Sequence, residues 1–182
     1  MIKPTKEQIA AAAGKTVSDV IARDLDVIFC GINPGLYTAA AGHHFARPGN
    51  RFWPTIHRAG FTPRLLSPDE EHQLLPLGCG ITNVVARATT AAAELTADEL
   101  IEGGRALERK MKRYRPRVLA IVGMGAYRTA FNRPRAALGL QSETIAGAAI
   151  WLLPNPSGLN ANYRPTDLFT LYRELKEWVS TS

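Results

Sequence analysis

Cysteine is nearly absent: the 182 residues hold two, Cys30 and Cys79. Two thiols exclude a disulfide framework and a four-cysteine cluster. Both are expected as small core side chains in a reducing compartment. No run reaches about 18 uncharged apolar residues, which excludes a spanning helix. The first twenty residues carry charges and no apolar signal core, which predicts a protein that stays in the cytoplasm. Repeats, low-complexity linkers and a Gly-Lys-Ser/Thr phosphate loop are also missing. Gly123-Met124-Gly125 is half of a dinucleotide fingerprint, but Arg128 stands where the third glycine belongs. Tight strand-to-helix packing explains that pair better. Ser157 lies in Asn-Pro-Ser-Gly, not in a nucleophile elbow. His43-His44 has no neighbouring cluster to complete a zinc site, which leaves a binding-loop role or plain exposure.

What is present is a basic, core-forming chain. Lys and Arg number 22 against 16 Asp and Glu, a net charge of +6 with a pI near 9.6. Apolar residues make up 46% and charged residues 21%, enough for one domain of sheet covered by helices. Arginine outnumbers lysine 16 to 6, which suits phosphate and base-edge contacts and also fits a GC-rich coding sequence.

The chain divides into alternating elements. Thr5 and Gln8 form a capping box for a short first helix that ends near Gly14, inside a helical extension over residues 1–24. Residues 26–30 read as a buried strand that empties into Gly31-Ile32-Asn33-Pro34-Gly35. Residues 36–49 read as a long loop, too long for a plain connector. A helix follows over 51–59, with Phe52, Ile56 and Ala59 on one face. Ser67-Pro68-Asp69-Glu70 starts another helix, and residues 81–85 form a strand. Thr96 caps a helix reaching Tyr114, striped by Leu100, Leu107 and Met111. Residues 118–122 are a continuous apolar run, the pattern of a strand buried on both faces. A short helix spans 125–131. A last strand at 150–153 empties into Pro154-Asn155-Pro156-Ser157-Gly158, and Thr166 caps a final helix. This alternation predicts a three-layer α/β/α sandwich with a mostly parallel sheet, in one domain over 1–182. If both Asn-Pro strands are parallel, their loops share one sheet edge.

Four segments in order carry a specific pattern: Gly31-Ile32-Asn33-Pro34-Gly35, Gly42-His43-His44-Phe45, Pro48-Gly49-Asn50-Arg51-Phe52-Trp53 and Asn155-Pro156-Ser157-Gly158-Leu159. Thr82-Asn83-Val84-Val85 before Arg87, and Glu102-Gly103-Gly104-Arg105, add to it. Together they resemble the mismatch-specific uracil/thymine DNA glycosylases of the uracil-DNA glycosylase superfamily. The likeness runs over about residues 27–159, more than two thirds of the chain. The cysteine count excludes the iron–sulfur relatives.

The resemblance implies a glycosylase that flips a base and hydrolyses its N-glycosidic bond, with no cofactor and no metal. Its partner would be double-stranded DNA carrying uracil or thymine mispaired with guanine; the chain would be a monomer, bacterial in type and at the nucleoid. Asn33 would orient the attacking water. Its amide both accepts and donates, but it is no general base near neutral pH. Its alternative role is to stabilise the turn. Phe45 would stack on the extruded base or serve as core, with Ile32, Gly35, Thr38 and Asn83 around the pyrimidine. Thr38 would face the C5 side. Asn83 stands where some bacterial members have lysine; the eukaryotic thymine-acting branch has a similar Thr-Asn and a closer match to His43-His44. Asn155, Ser157, Gly158 and Leu159 would meet DNA, Leu159 as the wedge and Ser157 on a flanking phosphate. Ala161 departs from the family, which often carries arginine there; Arg164 is the substitute within reach, and Arg47 a second phosphate candidate. No lysine lies in these loops, so strand cleavage through a Schiff base is not expected. Two other classes compete: a damage-binding module of the same fold with little turnover, and a nucleotide- or small-molecule-binding α/β protein.

Overall fold

The structure, a computed structural model, describes residues 3–182. Five strands form one sheet: β1 Val27–Gly31, β2 Cys79–Asn83, β3 Val118–Val122, β4 Gly139–Ile145 and β5 Ala148–Leu153. Their order is β2-β1-β3-β5-β4; the first four are mutually parallel and β4 runs antiparallel at the edge. Helices α1 Lys6–Ala10, α2 Leu36–Ala41, α3 Phe52–Arg58, α4 Ala97–Tyr114, α5 Met124–Ala130 and α6 Pro165–Thr181 complete the frame, with 3-10 segments at Pro68–Leu77 and Ala92–Glu94.

Alternation along buried strands divides the core in two. Val27, Phe29, Val118, Ala120, Val122 and Leu153 face α3, α6 and the 3-10 segment 68–77. Ile28, Cys30, Leu119, Ile121, Ile150 and Leu152 face α4 and α5. This is the expected three-layer α/β/α sandwich. Phe29 is fully buried and meets Phe52 and Phe61 edge-on, with centroids at 5.4 and 5.1 Å. Both thiols are core groups: burial pushes Cys79 up to about 12 and Cys30 higher still, so neither is a nucleophile at neutral pH.

Several boundaries differ from the sequence reading. The stretch expected as loop after residue 35 contains α2, because Leu-Tyr-Thr-Ala-Ala-Ala is helix-favouring sequence between two glycines. The second strand lies at 79–83 rather than 81–85, in register with β1 so that Gly31 pairs with Asn83. The Ser67 capping box forms, but it opens a 3-10 segment. β4 was missed: exposed Leu140, Ser142 and Thr144 alternate with half-buried Gln141 and Glu143, which gives no apolar run, and it is joined to β5 by the two-residue turn Ala146–Gly147. The final helix begins before Thr166, with Pro165 in the first turn and the Asp167 carboxylate accepting from the Arg164 amide at 2.8 Å.

β1 has β2 on one side and β3 on the other, so the chain reverses its winding direction there. The loops leaving β1 and β3 diverge and open a crevice at the carboxyl edge. The loop after β5 reaches the same edge, as expected for two parallel Asn-Pro strands.

Candidate active site

The crevice holds a cleft of about 260 Å³, with Asn33, Phe45, Asn83, Thr89, Asn155 and Leu159 among its walls. That is just below the ~300–1,000 Å³ usual for ligand sites, which suits one small ring.

Asn33 follows β1 and its amide is locked. Nδ2 donates to the Arg87 carbonyl at 3.0 Å and to Thr89 Oγ1 at 2.7 Å. Thr89 must accept there, because its own proton goes to the Ala91 carbonyl at 2.8 Å. Both donors are therefore spent, and Oδ1 is left as an acceptor without a protein partner among the described residues. Thr89 is 3% exposed, so water does not compete for these bonds. The Arg87 side chain pairs with Glu99, at 2.5 Å from Nε, which fixes the turn from outside and holds the Glu99 carboxyl down to about 2.

Facing this acceptor is an aromatic platform. Phe45 lies against Phe52 with centroids 4.0 Å apart and planes at 19°. Its backbone has φ +53, a strained conformation for a bulky residue that costs about 1–3 kcal/mol and collects at functional sites. The loop is held from behind: Trp53 Nε1 donates to the His44 carbonyl at 3.2 Å, and the Glu71 carboxylate accepts from the His44 amide at 2.8 Å and contacts His43 Nδ1 at 2.9 Å. The two histidines point to different partners, and His44 is buried rather than exposed.

His44 is neutral. Burial lowers its pKa, against the opposing pull of Glu71. Nε2 sits 2.9 Å from the Ser18 carbonyl, so that nitrogen carries the proton and Nδ1 accepts. Asn83 Nδ2 makes the matching long contact to Nδ1 at 3.5 Å. Asn83 Oδ1 consequently lies over Gly31, where a Cβ would collide with it. The cleft floor thus presents a fixed acceptor. Ile32 and Phe45 line the same cleft, and neither amide N–H donates to a protein acceptor among the described residues.

A third wall is the loop after β5. Asn155 Oδ1 accepts from the Ser157 amide at 2.9 Å, and Ser157 Oγ accepts from the Leu159 amide at 3.3 Å. These turns project Leu159, 74% exposed, beside the cleft mouth.

A family model for the uracil DNA glycosylase superfamily matches residues 18–176. The chain belongs to the uracil DNA glycosylase superfamily. Membership places it among glycosylases that act on DNA. In fold it is similar to a solution structure of a candidate uracil DNA glycosylase from Methanosarcina acetivorans, with a TM-score of 0.59 and 16% identity over 90% of this chain and 98% of that one. No helix among the described residues is long and apolar enough to cross a membrane.

The superfamily fold brings most of the singled-out residues together. Asn33, Ile32, Gly35, Thr38, Phe45, Asn83, Asn155, Ser157 and Leu159 all line one cleft, and Gly158 lines a smaller neighbouring hollow with Arg47. Arg164 stands apart: it lines neither, and its guanidinium lies on Asp167 at 3.3 Å. What escaped sequence reasoning is what aims Asn33 and Asn83. Thr89, with the Arg87 carbonyl, orients Asn33 across a separation of 56 residues, and a main-chain acceptor has no sequence signature. His44 orients Asn83 from the buried side; its position beside Phe45 was the available signal.

Proposed function

We propose that the protein is a monofunctional, mismatch-directed DNA glycosylase. It flips uracil opposite guanine out of the duplex and hydrolyses the N-glycosidic bond, leaving an abasic site for base-excision repair. Thymine and exocyclic pyrimidine adducts opposite guanine are further substrates in this reading.

The observation that carries it is the locked amide of Asn33, whose Oδ1 has no protein partner among the described residues and shares the cleft with the Phe45 platform. An extruded pyrimidine stacks on Phe45, which contributes about 1–3 kcal/mol whatever the base. Asn83 Oδ1 accepts the uracil N3–H, and the Ile32 and Phe45 amides donate to its carbonyls. These amides also stabilise the negative charge that develops on the leaving base, without reorganisation. Cytosine offers an acceptor at N3 and is rejected by the same oxygen. Asn33 Oδ1 orients a water toward the anomeric carbon. It does not take the proton as a carboxylate would, so the chemistry is slow and rests on leaving-group stabilisation. Thr38 is 8% exposed beside the ring and sets the room for a 5-methyl group. Leu159 fills the vacated stack and Ser157 holds a flanking phosphate.

Ala161 leaves no long side chain at the wedge tip to grip the opposite guanine, and Arg164 is engaged with Asp167. Preference for G·U over A·U is accordingly modest in this reading. The test is a single-turnover assay on duplexes with G·U, A·U and G·T and on single-stranded uracil, with alkali revealing abasic sites. Uracil release supports the proposal. Binding of the G·U duplex with no release from any substrate replaces it with the damage-binding module.

A further inference from the structure

We propose that Arg51 is a positioning residue that clamps the wedge loop to the base platform, so that base seating and wedge insertion occur as one step. The inference rests on reading the cleft as the site of base excision.

Arg51 lies between the platform loop and α3. Its guanidinium donates only to main-chain carbonyls of the loop after β5: Nη1 to Tyr163 at 2.6 Å, and Nη2 to Ser157 at 2.7 Å and Asn160 at 2.9 Å. Nε makes a longer contact to the Pro156 carbonyl at 3.4 Å, and the Arg51 amide donates to that same oxygen at 3.0 Å. No carboxylate among the described residues pairs with it, so its charge is met by these carbonyl dipoles alone. One rigid fork thereby fixes residues on both sides of Leu159. Charge-assisted hydrogen bonds of this kind are the strong ones, and a planar five-donor group satisfies several acceptors at once where lysine cannot.

The two loops also touch directly. A Cβ on Gly158 would collide with the Gly49 carbonyl, so the wedge turn rests on the backbone of the platform loop. That loop carries Phe45, and Asn50 Oδ1 anchors its end by accepting from the Phe52 amide at 2.9 Å. Platform and wedge are therefore joined through residues 49–51. An exposed apolar side chain such as Leu159 holds a working position only if its loop is fixed, and Arg51 supplies that fixation from below. Lost preorganisation of this sort slows the step that needs it, while ground-state contacts survive.

The experiment compares wild type with Arg51→Met, Arg51→Lys and Gly158→Ala. Single-turnover rate and half-saturation are measured on a G·U duplex, and flipping is followed by the fluorescence of 2-aminopurine beside the uracil. The clamp predicts that Arg51→Met lowers the maximal rate about tenfold or more, with half-saturation moving less than about threefold. The fluorescence rise slows in parallel. Arg51→Lys remains impaired despite keeping the charge. Gly158→Ala, which separates the loops without touching the guanidinium, reproduces the slow flipping and keeps the inference testable if Arg51→Met does not fold. Wild-type behaviour of Arg51→Lys with a changed salt slope in Arg51→Met overturns the clamp in favour of phosphate attraction. Unchanged flipping in Arg51→Met overturns it outright. If wild type releases no base, the reading of the cleft falls and the inference falls with it. Release by wild type with normal variants removes the inference alone.

Discussion

Replacing Thr89 with valine tests the link that sets the direction of the Asn33 amide. The hydroxyl accepts from Asn33 Nδ2 at 2.7 Å and donates to the Ala91 carbonyl at 2.8 Å, at a residue 3% exposed. Valine keeps the shape and removes both bonds. Solvent does not replace them, so the Nδ2 hydrogen loses its acceptor at the cost of a buried unsatisfied donor, about 1–3 kcal/mol. The Arg87 carbonyl still opposes a complete flip, since it would then face an oxygen at 3.0 Å. At about 1.4 kcal/mol per decade, the single-turnover rate falls about 5- to 150-fold. Half-saturation changes little, because Thr89 binds Asn33 and the chain rather than the base. Thr89→Ser keeps the hydroxyl and stays within about threefold of wild type. Quenched-flow or manual-quench assays on a G·U duplex measure both. Wild-type rate in a folded Thr89→Val refutes the reasoning; if Thr89→Ser alone is slowed, the methyl group's packing, not the hydrogen bond, was at stake.

Other expectations follow from the same geometry. Phe45→Ala removes the stacking face against Phe52 and weakens productive binding by about 1–3 kcal/mol, read as a rise in half-saturation. The folded-state pKa of His44 is lowered, so its neutral form contributes fully above the ordinary value of 6.5, and that contribution is lost as pH falls through the lower folded value. The rate on G·U stays flat down through pH 6.5 and declines only at lower pH, and the acid limb moves in His44→Asn; an unmoved limb assigns it elsewhere. Asn33→Asp trails wild type at neutral pH and gains with rising pH, because a carboxylate facing the Arg87 carbonyl is favoured in its protonated form. Truncation before Ser18 removes the bonds from Gly14 to the Ala88 carbonyl, 2.9 Å, and from Ala88 to the Lys15 carbonyl, 2.8 Å, which steady the turn holding Asn33. Base release slows more than duplex binding weakens; equal effects on both contradict this.

The parallel core was legible because Val118–Val122 and Val27–Gly31 are uninterrupted apolar runs with glycine-rich exits, a pattern strands buried on both faces must have. The edge strand β4 was not, since half its residues face solvent and its partner, not its composition, makes it a strand. At the site, Asn33, Phe45 and Leu159 stand in turn-rich motifs whose spacing carries information. The groups that aim them do not: a carbonyl at Arg87, a hydroxyl at Thr89 and a carbonyl at Ser18 act through main-chain geometry or across more than 25 residues. Arg51 stands in the Pro48–Trp53 segment of the pattern, yet its partners lie 105 to 112 residues away, beyond any local signal.

Asn33→Ala in single turnover on a G·U duplex, with the duplex dissociation constant measured alongside, is the most direct test of Asn33 Oδ1 as the group that orients the water. The expected result is a rate lower by about 10² or more with nearly unchanged duplex binding. Uracil release by Asn33→Ala at the wild-type rate would contradict it.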